Sequence, residues 1–528
     1  MLFRTTLQLS SFVVLIGLVR GDEIRDLQTA TIEQTSATWG HWGTNPKKYS
    51  GWTNHSNRLV PIYTFGITLD GIKNESSVYR DEKKLQALYG RLPKATPNPT
   101  ANYFDQTDVY RLQKLAAEAG KKYIVLFIFD GMDWQTTQAA AIFKSGKVYR
   151  EGRGAGLHFQ DYCATKTDYG YFVTSPHNKG TTANVDAQIV TNIGGTSRGG
   201  YDFQLGGVAP WSKPLDPSYL LGLNRDRPHV VTDSASSATS MTSGIKTYYQ
   251  SVNVDVDGRQ VAPIAQSLQK ERSWSIGVVS SVPISHATPA CAYANNVNRN
   301  DFQDLTRDLV GLPSIAHRES PLPGVDVLLG GGWSIEATSD SRQGQNFVPG
   351  NKYITADDLL TIGSQYEIAR RTEDRDGSEV LQQATERAVK NNKRLFGFFG
   401  VEKGNLPFQT ADGKFDPTID AAKQAKYTEA DIKENPTLAE MTRSALAVLE
   451  TNRKGFWLMV EPGDVDWANH SNNIDNSIGA VLSGDEAFRE VTRWVERNKC
   501  WDETAVIVTA DHGHYLVLEE PERLIKGR

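Results

Sequence analysis

Residues 229–248, HVVTDSASSATSMTSGIKTY, set a hydroxyl where an anion could be held. The β-branched run His229 to Thr232 reads as the end of a buried strand, and Asp233 and Ser234 follow at once. Ala235 to Ser243 are small residues closed by Gly244, a run suited to a helix pressed closely on a sheet with Ser234 at its N-terminus. Free backbone N–H groups and the positive end of the helix dipole favour an anion there. An isolated Asp-Ser pair is more often a simple helix cap, so the weight falls on other motifs. Asp466 and His470 stand four apart, on one face of a helical turn, and can chelate one cation. Asp511 and His512 are adjacent and can turn toward one centre. Carboxylate with imidazole suits zinc, while Asp130 and Glu461 add hard oxygens suited to magnesium. A serine hydroxyl is a poor nucleophile unless a cation stabilises its alkoxide, and a second cation about 4 Å away can hold the leaving oxygen. With an arginine fork on the remaining oxygens, these parts describe phosphoryl transfer through a phosphoserine.

The elements that must position these residues are legible as apolar runs. Tyr123 to Phe129 is continuous and ends in Asp130; Ile276–Val279, Val325–Gly332, Leu395–Val401, Phe456–Val460 and Thr504–Val508 read as further strands. Arg58 to Gly66 reads as a strand in which Pro61 argues for an edge position. Helical spacing covers 106–120, 437–450 and 476–498. This alternation predicts an α/β fold, a three-layer α/β/α sandwich on a mostly parallel central sheet. Ligands in such sheets bind beyond the strands' carboxyl ends, which is where Asp130, Ser234, Glu461 and the Asp511–His512 pair fall. Residues 22–57 read mostly as loop, and 150–226, rich in Gly, Asn, Ser and Thr, as a long surface excursion. With the polar stretch 334–393 it reads as an insertion in a single domain over 22–528.

The 528 residues carry a net charge of −5, so no basic excess points to nucleic acid and no acidic block to a disordered tail. Arg4, then the apolar stretch Leu9 to Val19 with Val19 and Gly21 at cleavage-site spacing, reads as a secretory signal peptide over 1–21, too short to span a bilayer. Export to a periplasmic or extracellular space follows, with no transmembrane helix left after cleavage. Cys163, Cys291 and Cys500 form no Cys-x-x-Cys, which argues against thiolate zinc and redox motifs; sequence alone assigns no disulfide.

The motifs FDGM (129–132), TDSASSATSMTSGIKTY (232–248), HATPACAYANNVNR (286–299), LLGGG (328–332), VEPGDVDWANH (460–470) and TADHGH (509–514) resemble the alkaline phosphatase family in order and spacing over residues 122–514. The resemblance implies a phosphate monoesterase acting on small-molecule esters with two zinc ions and one magnesium. It implies Ser234 as the phosphorylated nucleophile, Asp233 as its positioning partner and Arg299 as the phosphate clamp. It assigns Asp130, Asp511 and His512 to one zinc, Asp466 and His470 to the other, and Asp130, Thr288 and Glu461 to magnesium. His286 stands where relatives carry Asp or His near that magnesium. Homodimers are common in the family, which gives a dimeric expectation by analogy.

Two departures stand out. The family's leaving-group zinc takes another His well downstream of the Asp-His pair, and only His514 remains among the last residues here, at a position that matches no direct ligand. NHSNRLVPIYTFG (54–66) and DQTDVYRLQKLAAEAG (105–120) are similar to the family's late strand and closing helix. A circular permutation, with His55 as the third ligand, accounts for both. Trp467 replaces the Lys or His common at its position, and reads either as core packing or as a stacking surface for substrate. A phosphodiesterase or sulfatase-like hydrolase on the same core, and a silent exported binding protein, are the competing readings; Arg299 favours monoesters because it can meet two unesterified oxygens.

Overall fold

The computed structural model describes residues 23–525 except 35–36, 91, 93–94, 196–198 and 417–426, so the signal-peptide segment lies outside the described residues. Ten strands build the central sheet: β1 (Val60–Phe65), β2 (Phe104–Asp105), β3 (Tyr123–Ile128), β4 (Thr167–Val173), β5 (Ser275–Pro283), β6 (Val327–Gly331), β7 (Tyr366–Arg370), β8 (Arg394–Phe398), β9 (Phe456–Glu461) and β10 (Thr504–Thr509). Their spatial order is β7-β8-β6-β5-β9-β3-β10-β1-β4-β2. The seven from β7 to β10 run parallel. β1 then pairs antiparallel with both β10 and β4. The central strands are continuous apolar runs because both faces are covered: Ile124–Ile128, Phe456–Val460 and Ala505–Val508 are fully buried.

The helices that matter to the site are α1 (Thr107–Glu118), α2 (Trp134–Ser145), α3 (Ser234–Ser243), α4 (Ala287–Cys291), α5 (Gly377–Asn391), α6 (Leu438–Leu449), α7 (Asp464–His470) and α8 (Ile474–Asn498). They form two groups, α2, α5, α6, α7 and α8 packed in one, and α1, α3 and α4 in the other. α3 is buried along its whole length, although Ser and Thr are weak helix formers. Its hydroxyls find partners, Ser240 Oγ donating to the Ser236 carbonyl at 2.9 Å and Ser237 Oγ to that of Asp511 at 2.7 Å. Asp233 caps it, accepting from Ser236 N, so Ser234 occupies the first helical position rather than the cap. Gln113 on α1 ties the early part of the chain to this framework, donating to the Met241 carbonyl at 2.9 Å and accepting from Trp457 Nε1 at 2.8 Å.

Several expectations are corrected. Pro61 lies inside the sheet, not at its edge; the β10 ladder starts one residue later, at Ile62, and Thr509 Oγ1 donates to the Pro61 carbonyl at 2.8 Å. Residues 229–232 are buried but join no ladder; side chains take their carbonyls instead, that of Val230 accepting from Asn57 Nδ2 and that of Thr232 from His55 Nδ1. The stretch 150–226 is not merely a surface excursion. It supplies β4 and closes a second core rich in tyrosine, with Tyr201 and Tyr219 packed with Tyr79, Tyr89 and Tyr103. Residues 334–393 likewise supply β7 and α5. Within 22–57, Glu23–Gln34 is helical and Gly40–Trp42 pairs antiparallel with Leu516–Leu518. The three cysteines are free thiols. Among the described residues no helix is long and apolar enough to cross a membrane.

Candidate metal centre and nucleophile

Two groups of ligating side chains meet beyond the strand ends: His55, Asp466, His470 and His514 in one, and Asp130, Asp511 and His512 in the other, with ligand atoms within 4.8 Å of one another in each group. β3 delivers Asp130, β10 delivers Asp511 and His512, α7 carries Asp466 and His470 one turn apart, and the segment before β1 brings His55. The groups adjoin, since the His55 and His512 rings stack with centroids 3.7 Å apart.

The tautomers in the first group are set by the backbone. His55 Nδ1 donates to the Thr232 carbonyl at 2.8 Å, and His470 Nδ1 donates to that of Thr53 at 2.7 Å. A neutral imidazole that donates through Nδ1 carries a bare lone pair on Nε2. Those two Nε2 atoms face each other at 3.2 Å, and lie 3.7 and 3.4 Å from Asp466 Oδ1. Two lone pairs and a carboxylate directed at one point call for a cation, and backbone carbonyls holding the far ring nitrogens are the usual support for ligating histidines. His514 Nε2 donates to Asp466 Oδ1 at 2.7 Å from the other side. Burial pushes the Asp466 carboxyl up, but the imidazoles of His470, His514 and His512 outweigh it and hold it well below the usual range. Burial, with His512 and His514 beside it, keeps His55 neutral.

In the second group Asp511 Oδ1 accepts from Gly131 N at 2.8 Å and from His512 N at 2.9 Å, while Oδ2 has no hydrogen-bond partner. His512 Nε2 lies 3.3 Å from Asp130 Oδ1 and from Asp511 Oδ2. Burial, then the charges of Asp511, Asp466 and Glu461, drives the Asp130 carboxyl well above its ordinary value. Burial likewise lifts Asp511 to about 6 and Glu461 to about 8. Ser280 donates to Glu461 Oε2, but Glu461 Oε1 and the nearby Thr288 Oγ1 are buried without hydrogen-bond partners. An acidic cluster with unpartnered oxygens is the donor set a hard cation would satisfy. The residues present therefore fit metal ions in both groups. His286 belongs to neither group; its ring faces Trp467 at 5.9 Å, and burial lowers it to about 3.

Ser234 Oγ lies against the second group, 3.4 Å from Asp130 Oδ1 and 3.3 Å from His512 Nε2. Asp233 Oδ2 accepts from Arg299 NH1 at 3.1 Å, and its Oδ1 accepts from Ser236 N and Gln250 N. One cap thus fixes both the helix start and the arginine. Sequence reasoning missed Asn469, whose Nδ2 donates to the Gly131 carbonyl and whose Oδ1 accepts from Ser477, so that α7 and the β3 end are locked together. It also undervalued His514, although two histidines at alternate positions of an extended segment point to the same side. Gly131 has φ of +71°, and a Cβ there would stand 2.7 Å from His514 Nε2.

A mostly parallel sheet whose strand ends gather imidazole, carboxylate and a helix-borne serine has the parts that a metal-dependent hydrolase needs. A profile of the alkaline phosphatase family matches residues 216–522. Alkaline phosphatase 4 of Bacillus subtilis is 28% identical over 405 residues, covering 76% of this chain and 69% of the relative. Alkaline phosphatase of Escherichia coli K12 is 30% identical over 322 residues, covering 58% of this chain and 64% of the relative. The crystal structure of a cold-active alkaline phosphatase from a psychrophilic Shewanella superposes with a TM-score of 0.45 at 21% identity, over 74% of this chain and 68% of that one. The chain belongs to the alkaline phosphatase family. The profile match begins after His55 and Asp130, and the chain spans less than two thirds of the length of several curated relatives.

Proposed function

We propose that the chain hydrolyses phosphate monoesters through a covalent phosphoserine on Ser234. The observation that carries this reading is the pair of Nε2 lone pairs of His55 and His470 converging with the Asp466 carboxylate, in a group that adjoins, through the His55–His512 stack, the one Ser234 touches. His55, Asp466 and His470 would hold one zinc, Asp130, Asp511 and His512 a second, and Asp130, Thr288 and Glu461 a magnesium, in keeping with their nitrogen and oxygen donors. Bound there, such cations polarise phosphoryl oxygens and lower the pKa of a hydroxyl or water. In this reading Ser234 Oγ attacks phosphorus; the P–O bond to the ester oxygen breaks, and the alcohol leaves with the proton the serine gives up. Water then attacks the phosphoserine, inorganic phosphate departs, and the serine recovers its proton. Arg299, braced on Asp233, is oriented to pair with two unesterified oxygens, which favours monoesters over diesters.

The position of β1 between β10 and β4, with His55 just before it, supports a permuted order in which the family's late strand comes first here. Labelled inorganic phosphate should be trapped on the wild-type protein at low pH and not on Ser234→Ala. Nitrophenyl phosphate should turn over far faster than the bis ester or the sulfate, and chelation should abolish turnover until zinc and magnesium are returned. Label on another residue, or preference for the diester or the sulfate, would sink the proposal.

A further inference from the structure

Three segments lie side by side next to Arg299. Residues 177–179 run along 247–249: His177 N donates to the Thr247 carbonyl at 2.9 Å, and Tyr249 N donates to that of Asn178 at 3.2 Å. The second segment is joined in turn to the third, since Arg299 N donates to the Gln250 carbonyl at 2.8 Å. Gln250 N donates to Asp233 Oδ1 at 3.0 Å. Gln250 makes both bonds from the left-handed region, with φ of +78°, a conformation a glutamine keeps only where its surroundings fix it. Tyr249 is thereby pinned beside the proposed phosphate clamp. It is half-buried, and burial, then the charge of Asp233, raises its phenol to about 12, with Arg299 opposing and Asp466 adding. The hydroxyl thus stands in the field of both Arg299 and the first metal group. Lys179 is exposed, and its ammonium lies 5.1 Å from the Tyr249 ring centroid, within reach of the negative ring face. Among the described residues no carboxylate pairs with Lys179. An unpaired cation at the rim of a site that already takes one anion is free to meet a second.

We infer that Lys179, seated on the Tyr249 ring, determines specificity by receiving a second phosphate of the substrate, so that the preferred esters are bisphosphorylated small molecules. The inference rests on the monoesterase reading, in which Arg299 holds the phosphoryl group that is transferred. The second phosphate stays on the leaving alcohol and takes no part in bond breaking; it accepts from Lys179 Nζ and draws that end of the substrate over Tyr249. Lys352 is the rival cation, because its charge reaches His286. It is the less exposed of the two lysines, with Nζ 4.7 Å from the Phe302 ring centroid.

The test measures binding and turnover on the protein loaded with zinc and magnesium. Calorimetric titration with α,ω-alkanediphosphonates of three to six carbons, each against the alkylphosphonate of the same length, reads the subsite without any reaction. The best diphosphonate should bind the wild type more tightly than its partner. That advantage should shrink about two- to fivefold in Lys179→Ala, the worth of an exposed ion pair, and vanish or reverse in Lys179→Glu. Raising the salt from about 0.05 M to about 0.5 M should erode it in the wild type. Tyr249→Leu should lose part of the advantage and Tyr249→Phe, which restores the ring, should regain it. Lys390→Glu, the same change of charge at an exposed position on α5, should leave it in place. The kcat/KM ratio of 1,4-butanediol bisphosphate to butyl phosphate should follow the same pattern, chiefly through KM, which a purely structural contact between lysine and ring would not produce. No advantage in the wild type, a binding ratio unmoved in Lys179→Glu, or a larger effect from Lys352→Glu would overturn the inference. A binding ratio that moves as expected in a protein that turns over no ester would uphold the subsite and sink the phosphoserine reading instead.

Discussion

Replacing His55 with alanine is the sharpest test of the way this site is built. The ring is 5% exposed, stacks on His512, and directs Nε2 at His470 and Asp466 from 3.2 and 3.7 Å. Alanine removes one donor from the first metal group and leaves the Thr232 carbonyl without its 2.8 Å partner. An unpaired buried carbonyl costs about 1–3 kcal/mol of stability, which a folded chain of this size can tolerate. The loss at the cation is larger. Removing only the group that orients a ligand commonly costs about 10–100-fold in metal affinity, so losing the ligand itself should cost about 100-fold or more, close to 3 kcal/mol at 1.4 kcal/mol per decade. Metal content per chain, measured in buffers of defined free zinc, should show one ion lost from the variant at concentrations that saturate the wild type. Turnover should fall in step, and added imidazole should restore part of both. His286→Ala serves as the control, because His286 belongs to neither group. Unchanged zinc affinity in His55→Ala, or a greater loss in His286→Ala, would refute the reasoning.

Three further outcomes follow from the geometry. His229 is buried against Tyr219 and Ser175, and burial lowers it to about 3 from its ordinary 6.5. The unfolded chain therefore binds the proton first as pH falls, so His229's contribution is whole above about pH 6.5 and lost by about pH 3, a change of about 5 kcal/mol. Urea midpoints across that window should fall less steeply for His229→Gln than for the wild type. Arg299→Ala should lower kcat/KM and phosphate inhibition about 10–100-fold, the worth of a charge-assisted bond, with Arg299→Lys recovering only part because a point charge cannot replace the fork; an inhibition constant for phosphate that stays put would contradict the clamp. Lys246 is buried 3.1 Å from Asp105 and donates to the Ser175 carbonyl at 2.7 Å. Lys246→Met should cost about 3–5 kcal/mol by leaving that carboxylate unpaired, and thermal unfolding of the variant with and without Asp105→Asn measures it, the double variant being the more stable.

Much of the sheet was legible because its central strands are buried on both faces and so read as unbroken apolar runs. The Asp466–His470 spacing also carried over directly onto α7. β4 escaped notice because Thr167–Val173 holds a glycine in its middle and lies within a glycine- and asparagine-rich stretch. That glycine is a packing requirement, since a Cβ on Gly170 would stand 2.8 Å from Leu69 Cδ1 and 3.2 Å from Phe104 Cε1. β7 is an edge strand whose half-exposed face admits polar residues, which hides it from a search for apolar runs. Pro61 misled for a different reason. The rule that proline belongs on edges concerns the hydrogen bond a residue cannot donate, and the β10 ladder does not reach Pro61.

The misreading of residues 229–232 bears on function. Had this segment entered the sheet, its carbonyls would have been spent on a neighbouring strand. Outside the ladder, the Thr232 carbonyl is free to fix the tautomer of His55, and that of Val230 to hold Asn57 two residues further on. Thr232 lies two residues before Ser234, so a single backbone segment sets both the proposed nucleophile and the Nε2 lone pair of His55. Thr53 does the same for His470 from the other side of His55. The placement of the Ser234 hydroxyl relative to the His55 and His470 lone pairs is thus set by main-chain atoms rather than by long side chains, the kind of rigid placement that stabilising charge in a transition state demands.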